Sequence, residues 1–587
     1  MPRGTQSIEL ITPMAGFRGD LPPHKLQPDM LTTGSFNVVC SPTAQLRARN
    51  GFARVTPPNV GPQKALTGGV TWEGFNGIIY TIVADTGNWW RYIANTGSIT
   101  NWAASTVYNL GALVIDSNGN TQQCTTAGTS GTTSPVWANS VGTTTADGSG
   151  SLTWTMLTQL RAQAWTSLNN PAAVPTGDFT VFSAFAISGV DNLWGVNNGG
   201  NGLLRWQAGN GHITTVSGTP FSAALGCFVL ANRLVVFGTT ESGVYYANRI
   251  RWSENNDPTT WHAAAVADLT DPGGGITAGM RMGNLQAFIY LGGTEGQGAI
   301  WTMIAQAGDD ANAFSFQEFA LGEGAPPPAS VASIIAVQGT HYYLGLDLHI
   351  WSFNGVAPQN FGIAVQSDIM ANANAAEITN SFAVYVPSDR HGRFYFPSGT
   401  STMANRCVYY SFDFSRWEAP ALYSQGFTCG FSGPLSSQAL EAALVGGADG
   451  GMYQLDVSLT DNGAPIQFNA TWGVINVDAL SKMAVQFVEG FIQQANANDY
   501  VALVINGLRT PLDTPASGAV FLMELSQANQ FQQMAAPGIG STAATYYNWL
   551  QASLQGNTAG NFVCVGGYIQ VNTVLKGVSN VHGNGPE

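Results

Sequence analysis

Charge is what this chain has least of. Only 10% of its 587 residues are Asp, Glu, Lys or Arg, and the 21 basic residues are outnumbered by 35 acidic ones. A formal charge of −14 disfavours a duplex-binding protein, which needs a basic stripe to release counterions. Chemistry motifs are also missing. The sequence has no G-x-S-x-G, no Walker loop, no H-E-x-x-H and no G-x-G-x-x-G. Gly273-Gly274-Gly275 follows Asp271-Pro272 and is expected to be a turn rather than a nucleotide cradle. The six cysteines (Cys40, Cys124, Cys227, Cys407, Cys429 and Cys564) form no CxxC pair and no Cys/His cluster. Buried free thiols are expected, with no disulfide framework, no metal site and no cofactor. No apolar run approaches the ~18 residues needed to cross a bilayer as a helix. The opening Met1-Pro2-Arg3-Gly4 has no signal-like apolar region, so synthesis and assembly in the cytoplasm are expected.

What replaces charge is Ser, Thr, Asn, Gln and 70 glycines. Uncharged polar surface is cheap to desolvate, so this composition suits a rigid all-β structure with large subunit contacts. The length calls for two to four domains.

A repeat organises the middle of the chain. Tryptophan closes a strand at Trp206, Trp252, Trp301 and Trp351, with gaps of 46, 49 and 50 residues, and Arg416-Trp417 and Met452-Tyr453 look like later copies. A period near 50 residues built from about four short strands is the signature of a β-propeller blade. The pattern begins near residue 61, breaks, resumes near 161 and stops near 455. That gives about seven units; six or eight fit as well. A sandwich with aromatic edge strands is the competing architecture.

The break at 101–160 differs in composition, being rich in Thr, Ser and Gly with almost no charge. Its skeleton, Trp102…Tyr108-Asn-Leu-Gly111, Cys124…Pro135-Val-Trp137 and Leu152-Thr-Trp154, resembles the small chitin-binding-type β modules, which also recur as inserts in phage structural proteins. The resemblance implies that Trp102, Tyr108, Trp137 and Trp154 are candidate glycan-contacting residues, since an aromatic face fits a pyranose face. The alternative is that they form the core of a domain with little else to bury.

Residues 1–60 read as an irregular N-terminal arm in which Phe36–Cys40 and Gln45–Gly51 are expected to pair. Beyond 456, alternating strands such as Ile466–Trp472, Met483–Ile492 and Tyr500–Ile505 predict a sandwich-like platform domain to 587. Asp461-Asn462-Gly463 is a hairpin signal, Phe521–Phe531 fits strand or helix, and disorder is expected for the tail 583–587.

Two further stretches invite a chemical reading. Ser253 to Trp261 resembles the Asp box of sialidase-type propellers, one residue too long and without its glycine. A sialidase also needs converging arginines and a Tyr nucleophile; Arg249, Arg251 and Arg281 are the available candidates. His391 is placed in a hairpin tip, where solvation is expected rather than base catalysis.

Taken together, four features resemble the tail nozzle (tail tube or hub) proteins of short-tailed bacteriophages. They are the segment Gly19-Asp-Leu-Pro-Pro…Leu46-Arg-Ala-Arg49-Asn-Gly51, the strand Arg249-x-Arg-Trp-Ser…Asp257-Pro-Thr…Trp261, the interrupted propeller, and a platform containing Ala470-Thr471-Trp472 followed by Lys482. The first departs from the family where Arg-Pro-Gly is usual. The resemblance implies a non-enzymatic virion protein at the tail tip. It would form a homo-oligomeric, hexameric ring below an adaptor protein, with tail fibres attached, and DNA would pass without sequence readout. No membrane insertion is implied. A receptor- or glycan-binding tail protein, and a propeller glycosidase, are the alternatives.

Overall fold

The computed structural model describes residues 4–575 apart from 42, 44, 56–61, 76, 93–99, 119, 139, 141, 159–164, 169–178, 271–273, 293–297, 324, 328–332, 436–439, 477–480, 495–499, 509, 511–519, 524–531, 536–546 and 559–561. Within them the chain is all-β: a β-propeller, a small β module inserted in it, and a β sandwich.

The described strands build seven four-stranded blades. Each is an antiparallel meander, as the short strands and their Gly and Asn breaks dictate. The first uses Leu66–Glu73, Ile79–Asp85, Trp89–Tyr92 and Trp165–Ser167. The next four open at Thr180–Ala184, Ala223–Leu230, Gly275–Arg281 and Ile334–Val337. The sixth comprises Phe382–Val386, His391–Pro397 and Ala404–Ser411, with Arg416–Trp417 at its edge. The thirteen-residue strand Ala421–Gly433 first extends that edge and then crosses over to open the seventh blade.

The tryptophan tick has a structural meaning. Trp206, Trp252, Trp301 and Trp351 all lie on the third strand of their blades, as does Tyr453, while Trp417 has slipped to the outer edge of the sixth. Trp206 and Trp252 fill the gaps between blades, at 0% and 2% exposure.

The ring is closed by the N-terminal segment. Gly51–Arg54 pairs antiparallel with Met452–Ser458 and supplies the outer strand of the seventh blade. The innermost strands of the first and seventh blades then stand side by side. Glycine makes this approach tight: a Cβ on Gly69 would meet the Phe431 ring at 2.1 Å.

The described N-terminal residues also join the sandwich. Gly4–Leu10 pairs with Phe562–Leu575, and Val38–Cys40 and Leu46–Ala48 pair with each other and join the same six-stranded sheet. Gly16–Phe17 and Met30–Leu31 extend the facing sheet, beside Ile466–Ile475, Trp549–Thr558, Tyr500–Leu508 and Val520–Met523. The sandwich is built from both ends of the chain, and its core runs without a break into the fifth and sixth blades through Ile350, Phe394 and Trp417.

One local expectation needs correcting. Asp461-Asn462-Gly463 does form a turn, with Asn462 at φ 49° and Gly463 at φ 94°. Its flanking strands belong to different sheets, however, so it marks the crossing from propeller to sandwich rather than a hairpin. A ten-residue helix, Ile363–Asn372, lies between the fifth and sixth blades of this otherwise nearly all-β chain. It buries Val365 and Ile369, and Gly19 docks on it through the Ala364 carbonyl. Strand Val520–Met523 settles the start of the 521–531 ambiguity; 524–531 and the tail 583–587 lie outside the described residues.

Candidate functional site

Three places could carry function: the propeller axis, the third-blade turn and the inserted module. The axis holds a cavity of about 780 Å³ lined by the inner strands, with Thr67, Thr180, Ser381, Thr428, Met280 and Phe431 among its walls. Among the described residues, no Asp, Glu, Lys, Arg or His lines it. Cys429 does, and burial pushes its thiol up to about 12, so it holds its proton at neutral pH. Its described walls offer neutral hydroxyls, that of Tyr385 among them, beside apolar side chains.

In the third blade, Ser253 is fully buried. Its hydroxyl accepts from the Leu234 amide at 3.0 Å and donates to the Glu254 carbonyl at 3.0 Å. Burial pushes the Asp257 carboxyl up, but bonds from Thr259 and Thr260 outweigh it and hold it below the ordinary value. Trp261 donates to the Pro258 carbonyl at 3.0 Å and meets Phe221 edge-on. The polar groups of Ser253, Asp257 and Trp261 are satisfied within the turn and its blade.

Arg249 and Arg251 converge, but on carboxylates of their own blade. Arg249 grips Asp268 with two bonds of 2.7 Å and reaches Glu241 at 3.1 Å. Arg251 forks onto the same Glu241 at 2.7 and 2.8 Å. These guanidiniums are neutralised and leave no fork for a substrate carboxylate. Arg281 ends the inner strand of the fourth blade, exposed, and belongs to another part of the propeller. His391 opens the second strand of the sixth blade, half-buried, with Nδ1 3.4 Å from Asp389. It immediately follows the hairpin turn 387–390, beside the Arg393–Asp389 ion pair.

The insert folds as a five-stranded sheet plus a two-stranded ribbon, spliced between the third and fourth strands of the first blade. Trp102, Tyr108, Trp137 and Trp154 are brought together, as its centre. Tyr108 and Trp137 each meet Trp154 edge-on, at 4.9 and 6.0 Å, and Trp102 meets Trp137 at 6.4 Å. Trp154 is 0% and Trp137 5% exposed, so neither keeps a free face for a sugar. Trp102 and Tyr108 are half-buried. The organising residue, missed in the sequence, is Asp147. Its buried Oδ2 takes the indole N–H of Trp102 at 2.8 Å and of Trp154 at 2.9 Å, while Oδ1 takes the Gly131 amide at 2.9 Å. Two tryptophans flanking an Asp-Gly turn were the available signal.

No family model matches the chain, and no curated protein does. Solved structures do match. BBS1N in complex with ARL6DN covers 71% of this chain and 100% of its own at 7% identity and a TM-score of 0.37. BamB from Moraxella catarrhalis covers 49% and 84% at 9% identity and a TM-score of 0.26. The nidogen/laminin complex covers 52% and 90% at 10% identity and a TM-score of 0.26. Similarity this distant carries no inference about function. The class stands on the chain's own strand pairing: a seven-bladed β-propeller fused to a β sandwich.

Proposed function

We propose that this chain is a structural virion protein of the phage tail-nozzle type, a ring-forming subunit that gates and guides DNA exit. The observation that carries the reading is how residues 4–54 are threaded: they complete the sandwich and then close the propeller. Domains joined by a linker hinge by default. Domains sharing strands and one core cannot, which is what a conduit under load requires. The arrangement of arm strands, propeller, spliced module and platform also follows the order that the sequence resemblance implies.

The axial cavity, about 780 Å³ and walled by side chains, is not a path for a duplex. The conduit would lie between copies of the chain, where subunits of charge −14 repel phosphate and keep DNA moving. Apolar side chains left in solvent, such as Val136 at 97% and Phe75 and Leu440 at 82%, are ones that subunit, adaptor or fibre contacts would cover. Negative-stain electron microscopy of the purified chain, and with its adaptor, tests the reading. Six-fold rings with a central pore are expected. Monomers under both conditions would overturn it, and loss of glycan binding on changing Trp102 would instead favour an adhesin.

A further inference from the structure

Among the described residues seven arginines are buried: Arg49, Arg91, Arg233, Arg251, Arg393, Arg406 and Arg416. Six of them hold a carboxylate in a salt bridge. Arg91 does not. It is the last residue but one of the third strand of the first blade, the strand that precedes the insert, and is 5% exposed. Its guanidinium lies 4.9 Å from the Tyr80 ring centre and 5.7 Å from that of Trp206. Nη2 donates to Oε1 of Gln123, a neutral group on the insert, at 2.9 Å, and Nε is buried with no partner.

Beside it is a cavity of about 10 Å³, bounded by Arg91, by Gln123 and Thr155 of the insert, and by Gly209 and Asn210 of the second blade. That is room for one water-sized particle. The fit around it is close: a Cβ on Gly142 of the insert would lie 2.1 Å from the Gly211 amide nitrogen.

Burying an unpaired charge is strongly unfavourable, and arginine cannot escape by losing its proton. Aromatic faces and an amide oxygen offset part of that cost. Water in the cavity would satisfy Nε but leave the charge uncompensated. We propose that the cavity is a binding site for one small monovalent anion of about chloride size, held by Arg91 where the insert meets the propeller. The anion would supply the counter-charge that every other buried arginine receives from Asp or Glu, and so lock the module onto the first two blades.

The test uses the full chain. Thermal unfolding is followed in sodium chloride and in sodium gluconate at equal ionic strength, and crystals are soaked in bromide. The expected results are a bromide anomalous peak in hydrogen-bond range of the Arg91 guanidinium and a Tm higher in chloride by about 1–3 °C. Gln123→Glu, nearly isosteric, installs a permanent carboxylate against Arg91. It should fold, abolish the bromide peak and make Tm independent of the anion. Arg91→Gln should lose the dependence too, if it folds. A water at the site, or equal Tm in both salts, would overturn the proposal. A peak with unchanged Tm would mark an adventitious ion only, and would overturn it as well.

Discussion

His341 shows how a buried polar residue can be fixed in one protonation state by its surroundings. It is 0% exposed, on the second strand of the fifth blade. Nδ1 lies 2.8 Å from the Tyr290 hydroxyl and Nε2 3.2 Å from the Arg281 carbonyl. The carbonyl can only accept, so Nε2 carries the proton and Nδ1 accepts from tyrosine. Burial pushes the pKa down from 6.5 to about 4, against the smaller upward pull of the carbonyl. The folded state therefore binds fewer protons than the unfolded chain between these values, and stability rises with pH there. Protonation of the unfolded chain should cost the fold about 3 kcal/mol in total, lost as pH falls from 6.5 to about 4. Denaturant titrations at steps across pH 4.5–6.5 should show this slope in the wild type. His341→Gln should be less stable at neutral pH yet show a shallower slope across the window. An unchanged slope in the variant would mean that the titrating group is elsewhere. The same logic of local satisfaction holds at Asp147, whose carboxylate explains why two of the aromatics that resemble sugar-stacking residues point inward instead.

Among the elements, Gly51–Arg54 has consequences out of proportion to its four residues. Phe52 on this strand is fully buried and meets Tyr423, Phe427 and Tyr453 edge-on, with ring centres 5.3 to 6.0 Å away. Phe52→Ala should cost about 3–5 kcal/mol by denaturant unfolding, because the cavity falls where the ring of blades closes. Phe52→Leu should recover most of that loss. A cost below about 1 kcal/mol for the alanine variant would show that the seventh blade does not depend on its borrowed strand.

This element also shows where sequence reading stops. The blades were legible because each repeats an alternation of apolar residues and turns, and because Trp206, Trp252, Trp301 and Trp351 mark equivalent strands. The pairing of Val38–Cys40 with Leu46–Ala48 was legible for the same local reason. That Gly51 pairs beside Ser458 was not, since strand periodicity specifies which face is buried but not which distant edge is matched. The Asp461-Asn462-Gly463 turn failed in the opposite way: its backbone chemistry was read correctly, but turn residues cannot say whether the strands they join share a sheet. Helix Ile363–Asn372 was missed because its buried set, Ala364, Val365, Asp368 and Ile369, includes a carboxylate that is apolar in effect only when Arg406 binds it.

For the whole molecule, the question is whether propeller and sandwich behave as one body. Their junction is wired with buried charge. Arg49, from the N-terminal segment, forks onto Asp461 in the crossover at 2.8 and 2.6 Å, and both side chains are 4% exposed. The same guanidinium bonds to Asn37 Oδ1 at 2.8 Å and to the Leu422 carbonyl at 2.9 Å, and lies 4.2 Å from the centre of the Tyr423 ring. Arg416 of the sixth blade pairs with Glu418 and donates to the carbonyls of Met14 and Cys40. Removing one partner of such a pair strands the other in low dielectric, at about 3–5 kcal/mol, whereas replacing both by apolar groups can be nearly neutral. Scanning calorimetry of the wild type should therefore show propeller and sandwich melting in one transition. Arg49→Met, which leaves Asp461 uncompensated at the crossover, should lower the Tm and split the endotherm into two. In Arg49→Met/Asp461→Leu most of the stability should return, and with it the single transition, because the strands exchanged between the domains remain. If the wild type already melts in two steps that Arg49→Met does not move, the domains are coupled too weakly to transmit load, and the rigid-conduit reading loses its mechanical basis.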